Sequence, residues 1–132
     1  MSKINDFLTD AGVFFLATED GPQPKLRPLG AHHDIDGKVV FGIGDFKDVY
    51  RQLLANPLTE IVAFKPQDRT WLRYTGRVVF DDNPSYVEVA LEALPHLRQV
   101  YNEETGKKMM MFHLEDATAK IIDMAGNVEV IE

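Results

Sequence analysis

The sequence predicts a mainly β protein, an antiparallel sheet that closes on itself as a small barrel with short helices packed on its outside. Three observations carry that expectation. Strand-like runs follow one another in clusters instead of alternating regularly with helices, which disfavours a doubly wound parallel sheet. Asp36-Gly37 stands between two such runs and is a strong hairpin signal. The helical segments are few: one opens the chain, one short helix interrupts about five strands, and one or two precede the last strands.

Taken in order, Ser2 is a plausible N-cap for a helix in which Ile4, Phe7, Leu8 and Ala11 repeat at helical spacing before Gly12 closes it. "VFFLAT" (13–18) then reads as a buried strand that feeds the turn-rich "EDGPQP". "KLRPLGAHHDI" reads as a second strand, disturbed by Pro28 and Gly30 and therefore at an edge, bulged or closely approached by a neighbour. After Asp36-Gly37 the chain returns as "KVVFGI". A short helix follows, with Phe46, Val49, Tyr50, Leu53 and Leu54 on one face and Asn56-Pro57 as its stop.

"TEIVAFK" and "TWLRYTGRVVFD" are the fourth and fifth strands, linked by "PQDR". Along the fifth, Trp71, Arg73, Thr75 and Arg77 share one face, and Leu72, Tyr74, Gly76 and Val78 share the other. Asn83-Pro84 starts a helix that runs through Val87, Ala90, Leu91 and Leu94, and "HLRQVY" adds a helical turn or two. "MMMFHL" and "TAKIID" supply two late strands, and "NVEVI" is a short tail.

The 132 residues suit a single domain spanning 1–132, with an ordinary 45% hydrophobic and 27% charged composition. No apolar run approaches a membrane span, and "MSKINDFLTD" lacks the apolar core of a secretory signal, so a cytoplasmic location without a membrane partner is expected. The absence of cysteine removes disulfides, thiolate nucleophiles and thiolate metal sites together, so redox chemistry would have to come from a bound cofactor. A net charge of −7 opposes a nucleic-acid backbone. A small anion could be held only by a local cluster of basic residues.

Two basic elements offer such a cluster. In "GIGDFK", Gly42 and Gly44 flank Ile43 and would let a ligand approach the backbone, while Lys47 opens a helix whose free N–H groups attract anions. The segment lacks the Gly-Lys-Ser/Thr ending of a P-loop and the third glycine of a dinucleotide fingerprint. The bland alternative is a strand-to-helix bend capped by Asp45, since short glycine motifs are weak signals on their own. In "KLRP", Lys25 and Arg27 alternate onto one strand face, which usually points into water. Beside them, Trp71 and Arg73 would suit a planar, negatively charged ligand, although a lone Trp is more often a packing residue. Tyr50 and Tyr74 are more often core residues with a satisfied hydroxyl.

No metal site is expected. His32 and His33 are adjacent in a strand and point to opposite faces, and His96 and His113 have no second histidine near in sequence. No G-x-S-x-G is present, and Ser2 and Ser85 both look like helix-start residues.

"FFLATEDGPQPKLRPLG", "DGKVVFGIGDFKDVYRQLLANPLTEIVAF" and "WLRYTGRVVFDD", in that order, resemble the FMN-binding split-barrel proteins related to pyridoxamine 5′-phosphate oxidase. The resemblance covers about Val13 to Asp82, and its compact layout and "RPLG" strand are closest to the small nitroimidazole-resistance branch. It implies a flavoprotein that binds FMN, an oxidoreductase acting on a small molecule, and a homodimer with its flavin sites between two barrels. Arg27 would contact the phosphate and ribityl region, and Pro28 and Leu29 the isoalloxazine edge. The loop from Gly42 through Lys47 would cradle the phosphate, with Tyr50 supporting it and Trp71 and Arg73 reaching it from across the interface. Asp45 and Asp48 depart from the family pattern, since two acids weaken phosphate binding unless they face away or cap the helix.

No catalytic acid or base stands out; His32 and His33 are the first to consider, and a structural role is the more common one for such residues. The alternatives are a non-catalytic flavin or planar-cofactor carrier or sensor, and a barrel that serves only as an interaction module.

Overall fold

The computed structural model describes residues 2–131. Helix α1 (Lys3–Ala11) starts at Ser2, whose Oγ accepts from the Asn5 N–H, and ends at Gly12, which takes φ 87° and donates its N–H to Leu8 O. A positive φ is what a glycine permits at a helix end without a side-chain clash. Strands β1 (Phe14–Asp20), β2 (Gln23–Leu29), β3 (His33–Ile35) and β4 (Lys38–Gly44) follow, then α2 (Asp48–Ala55), β5 (Leu58–Lys65) and β6 (Thr70–Asp81). Helix α3 (Pro84–Ala93) begins at Asn83, whose Oδ1 accepts from the Ser85 N–H, and runs into a 3₁₀ turn over Pro95–Gln99. Strands β7 (Met109–Ile122) and β8 (Val128–Ile131) complete the chain.

All pairings are antiparallel, in the order β2-β1-β5-β6-β7-β4-β3, with β8 added to β7. The two ends of this path, β2 and β3, are consecutive in the chain and separated only by residues 30–32. That short connection forces the sheet to curl until its two edges face each other. The result is a barrel with one open seam.

The segment expected to be one strand from Lys25 to Ile35 is therefore two, on opposite sides of the seam. Pro28 sits in β2, an edge strand, where a missing ladder donor costs least. The β3–β4 hairpin turns at Asp36-Gly37, with φ 52° and 78°, the pair of positive values a tight hairpin demands.

A second correction concerns β7. The two expected late strands form one 14-residue strand, because the acidic interruption is absorbed by a bulge. Pairing shifts between Thr75↔Thr118 and Arg77↔Glu115, leaving one extra residue in β7 beside Asp116, which adopts φ 52°. The first part of β7 lies between β6 and β4, and the last part between β6 and β8. "NVEVI" is thus a paired strand as well as a tail.

Inside the barrel an aromatic column crosses the elements. Phe14 (β1), Phe41 (β4), Phe112 (β7), Phe80 (β6) and Tyr50 (α2) follow one another with ring centroids 5.4, 5.3, 5.7 and 5.1 Å apart. Such pairs add about 0.5–1.5 kcal/mol each beyond area burial. Leu8, Leu16, Leu53, Ile61 and Leu72 fill the space around the column. A smaller cluster of Val40, Tyr86, Ala90, Leu91, Met109 and Met111 holds α3 against the outer face of β4 and β7. Among the described residues no helix is long and apolar enough to cross a membrane.

Gly76 lies opposite the bulge, where an added Cβ would stand 3.0 Å from Ala117 Cβ and 3.1 Å from Glu115 O. Gly76→Ala is expected to lower stability by about 1–3 kcal/mol through overpacking against backbone. An unchanged urea midpoint would show that the bulge is not held by this close approach.

Candidate functional site

The seam holds a cavity of about 470 Å³. Arg27, Pro28, Leu29, Gly30 and Ala31 form one wall, from the β2 edge and the connection beyond it. His33, Gly42, Ile43, Gly44, Lys47, Asp48 and Val49 form the other, and Ala90, Leu94, Leu97, Tyr101 and Met109 complete an apolar side. Its size falls in the usual range for small-molecule and cofactor sites, roughly 300–1,000 Å³.

Arg27 is fixed before any ligand arrives. Its Nη1 donates to Leu16 O at 3.0 Å and to Thr18 Oγ1 at 2.8 Å, and its Nη2 donates to Gln52 Oε1 at 2.8 Å. Thr18 and Gln52 are buried and bonded to each other, Thr18 Oγ1 donating to Gln52 Oε1. Two further N–H groups of Arg27, on Nε and Nη2, have no partner among the described residues. Burial draws the guanidinium pKa below its ordinary value, yet a group of that basicity stays charged at neutral pH. The cavity therefore contains a preoriented cation with donors to spare.

Lys47 is the N-cap of α2 and provides no side-chain cap, so Asp45 does not cap this helix as the bland alternative supposed. Asp45 instead bonds to Lys108: its N–H donates to Lys108 O at 2.9 Å, and its Oδ1 accepts from the Lys108 N–H at 3.0 Å. Bonded in this way, Asp45 still acts through its charge on Tyr101 at the cavity wall. Asp48 remains at the cavity, well exposed and 4.0 Å from Arg51 Nε.

The glycines have occupants belonging to the protein. A Cβ at Gly42 would stand 2.9 Å from Met111 Sδ and 3.0 Å from Met109 Sδ. At Gly44 it would stand 2.6 Å from the Phe46 ring and 2.8 Å from the Tyr101 hydroxyl. Packing by these side chains is itself a sufficient reason for both glycines.

Of the residues singled out in the sequence, Arg27, Pro28, Leu29, Gly42, Ile43, Gly44 and Lys47 converge on the cavity. Lys25 is exposed and does not line it. Tyr50 belongs to the aromatic column, against Phe80. Trp71 and Arg73 lie on the outer face of β6, with Arg73 paired to Glu60 at 3.1 Å and neither lining the cavity of its own chain.

The α2 face also differs from expectation. Phe46 precedes the helix at 48% exposure and Leu54 is 61% exposed, while Val49, Gln52 and Leu53 are buried. Gln52 went unnoticed although its spacing from Val49 places it on the buried face, where a lone polar residue needs a partner. Thr18 and Tyr101 carried no comparable signal, since their roles depend on distant elements.

His32 and His33 part company because only His33 is in a strand. His33 lines the cavity, whereas His32 Nδ1 lies 2.6 Å from Asn5 Oδ1 and its ring meets Phe14 edge-on. Burial lowers the pKa of both, and for His32 the neighbouring His33 adds to the effect. Among the described residues no cluster of three His, Asp or Glu side chains is placed to hold a metal ion.

An antiparallel barrel opened along one seam, with a cationic and apolar cavity in that seam, is the split-barrel class related to pyridoxamine 5′-phosphate oxidase. The chain is similar to a solved NimC/NimA family protein from Clostridium acetobutylicum, with 32% identity, a TM-score of 0.87, and 98% of this chain and 89% of that one covered. It therefore belongs to the NimC/NimA family.

More distant structures share the fold. A pyridoxamine 5′-phosphate oxidase-related, FMN-binding protein from Nostoc punctiforme superposes with a TM-score of 0.69 at 16% identity, covering 98% of this chain and 95% of that one. An FAD-binding protein from Mesorhizobium loti gives 0.62 at 17% identity, covering 93% and 96%. No protein-family model matches the chain, and none of the curated proteins does.

The two lowered histidine pKa values have a definite consequence for stability. The unfolded chain, with ordinary histidines near 6.5, binds more protons than the folded one at mildly acidic pH. The contribution is fully present above about pH 6.5 and is lost as pH falls through the folded values. The lowered aspartates, Asp20, Asp68 and Asp123, act in the same direction but only near and below their ordinary 3.8. The thermal midpoint should thus decline as pH falls below about 6.5, and His33→Gln should flatten that decline. A midpoint independent of pH over that range would contradict the assignment.

Proposed function

We propose that the chain is a flavin-dependent oxidoreductase that holds FMN in the seam and acts on a small molecule. The observation that carries this reading is the Arg27 guanidinium, a cavity-lining group anchored on Leu16, Thr18 and Gln52, with two N–H groups unpartnered among the described residues. The residues present fit the group. A phosphate needs charge-assisted donors, which Arg27 and Lys47 supply, and a planar ring system needs an apolar slot, which Leu29, Ala90, Leu94 and Leu97 supply. The Asp45 carboxylate accepts from the Lys108 N–H, and its charge still reaches Tyr101 on the cavity wall.

In this reading Lys47 and Arg27 bind the phosphate and ribityl region, and Pro28 and Leu29 border the ring edge. When bound, the flavin supplies the hydride or electron chemistry. The protein orients the cofactor, sets the local field and excludes water. His33 is the cavity residue able to carry a proton close to neutral pH, and its burial favours the neutral imidazole.

A second copy of the chain belongs to the proposal. The outer face of β2-β1-β5-β6 carries Leu26, Phe15, Val62, Phe64 and Trp71 side by side, several of them largely exposed. Contiguous apolar patches of this kind mark association surfaces. A homodimer through this face would cover them and give Trp71 and Arg73 a route to the partner's seam.

The test is a visible absorbance spectrum of the protein after FMN is added and the excess removed, followed by addition of a nicotinamide donor and a nitroaromatic acceptor. Retained flavin that turns over supports the reading. Retained flavin without turnover would indicate a carrier, and no retained flavin would remove the cofactor assignment. Lys47→Ala should weaken FMN binding by about tenfold or more, the loss of one charge-assisted bond, while leaving the thermal midpoint of the free protein within about 2 °C. Equal titrations for the variant and the parent would place the phosphate elsewhere.

A further inference from the structure

We propose that Tyr101 is a phosphate-recognition residue of the seam cavity, its hydroxyl donating a hydrogen bond to the phosphate monoester of the flavin beside Lys47. The inference rests on the flavin reading above and adds a binding residue from a segment outside the sequence resemblance.

Four observations converge on this side chain. Tyr101 lines the cavity, and its hydroxyl lies so close over Gly44 that a Cβ there would be 2.8 Å away. The same turn carries Lys47, whose N–H donates to Gly44 O at 3.2 Å, so the phenol and the ammonium-bearing residue flank one short piece of backbone. The hydroxyl makes no hydrogen bond among the described residues and is not cut off from solvent, so it is available to a ligand. In the free protein water can satisfy it, and a ligand oxygen in the cavity would take that water's place.

The position of the ring is also well determined. The Tyr101 N–H donates to Leu97 O at 2.9 Å, and the ring packs against Phe46 with centroids 6.2 Å apart. The chain beyond it is tied back by Thr105 Oγ1 donating to Val100 O at 2.6 Å and by Asn102 Nδ2 donating to Arg98 O at 2.9 Å. A donor held in place in this way costs little further entropy when a ligand arrives.

The phenol stays protonated at neutral pH, because burial and the negative charge of Asp45 both raise its pKa. It is thus a dependable donor that adds no positive charge. A phosphate monoester offers several acceptor oxygens and accepts such a bond together with those of Lys47 and Arg27. Riboflavin has the same ring system and no phosphate.

The experiment compares the dissociation constants of FMN and riboflavin, read by flavin fluorescence, for the parent chain and for Tyr101→Phe, with thermal midpoints of the free proteins alongside. Tyr101→Phe removes only the hydroxyl. The expected result is about tenfold weaker binding of FMN, riboflavin binding unchanged within about twofold, and an unchanged midpoint. FMN binding equal to the parent's would overturn the proposal. Equal losses for FMN and riboflavin would overturn it as well, by assigning Tyr101 to the ring pocket. A parent chain that takes up neither flavin would overturn the cofactor reading itself, a result distinct from both.

Discussion

The guanidinium of Arg27 is bonded to the Leu16 carbonyl and the Thr18 hydroxyl on β1 and to the Gln52 amide on α2, and the seam is organised around that set of bonds. Strand β2 is an edge strand with one neighbour, β1, so its free side needs another means of restraint. Gln52 supplies it from a helix that follows β4, on the other bank of the seam. A cation drawn in this far must be hydrogen-bonded on most sides, or its desolvation would outweigh what its packing contributes. Thr18 and Gln52 meet that requirement while leaving part of the guanidinium facing the cavity. In the proposed function a structural clamp and a ligand-binding group would thus be the same side chain.

If the seam holds the proposed flavin phosphate, this arrangement is how an acidic protein would offer a site for an anion. The net charge of −7 sets an unfavourable field over the whole molecule, but the seam collects Arg27 and Lys47. Low-dielectric walls from Leu29, Leu94 and Leu97 strengthen what those charges do locally. Long-range repulsion lowers encounter rates more than it weakens contacts made inside a partly enclosed cavity.

Much of the barrel was legible in the sequence because its strands alternate cleanly and its turns are marked. β6 matched its expected span residue for residue, and Asp36-Gly37 formed the expected hairpin. Two misreadings share a cause. Pro28 with Gly30, and Glu115 with Asp116, are local irregularities whose meaning is set by tertiary context. The first pair borders a complete break, since the chain there crosses from one sheet edge to the other. The second is only a bulge, since β6 pairs on both sides of it. Local pattern contains nothing that separates these two cases.

The site was half legible for a related reason. Arg27, Lys47 and the glycines were visible as basic or flexible residues in strand-to-turn contexts. Thr18, Gln52 and Tyr101 were not, because each acquires its role from a partner far away in the chain. Gln52 was the exception in principle: helical spacing from Val49 puts it on the buried face, and a buried amide asks for a partner. On the proposed function, one guanidinium both holds the seam and faces the bound flavin. A crystal structure of the protein grown with FMN tests it most directly. The account predicts the flavin in the seam, with its phosphate or ribityl oxygens against Arg27 and Lys47 and with Arg27 still bonded to Thr18 and Gln52. A flavin bound outside the seam, or an Arg27 that leaves Gln52 to reach it, would contradict the account.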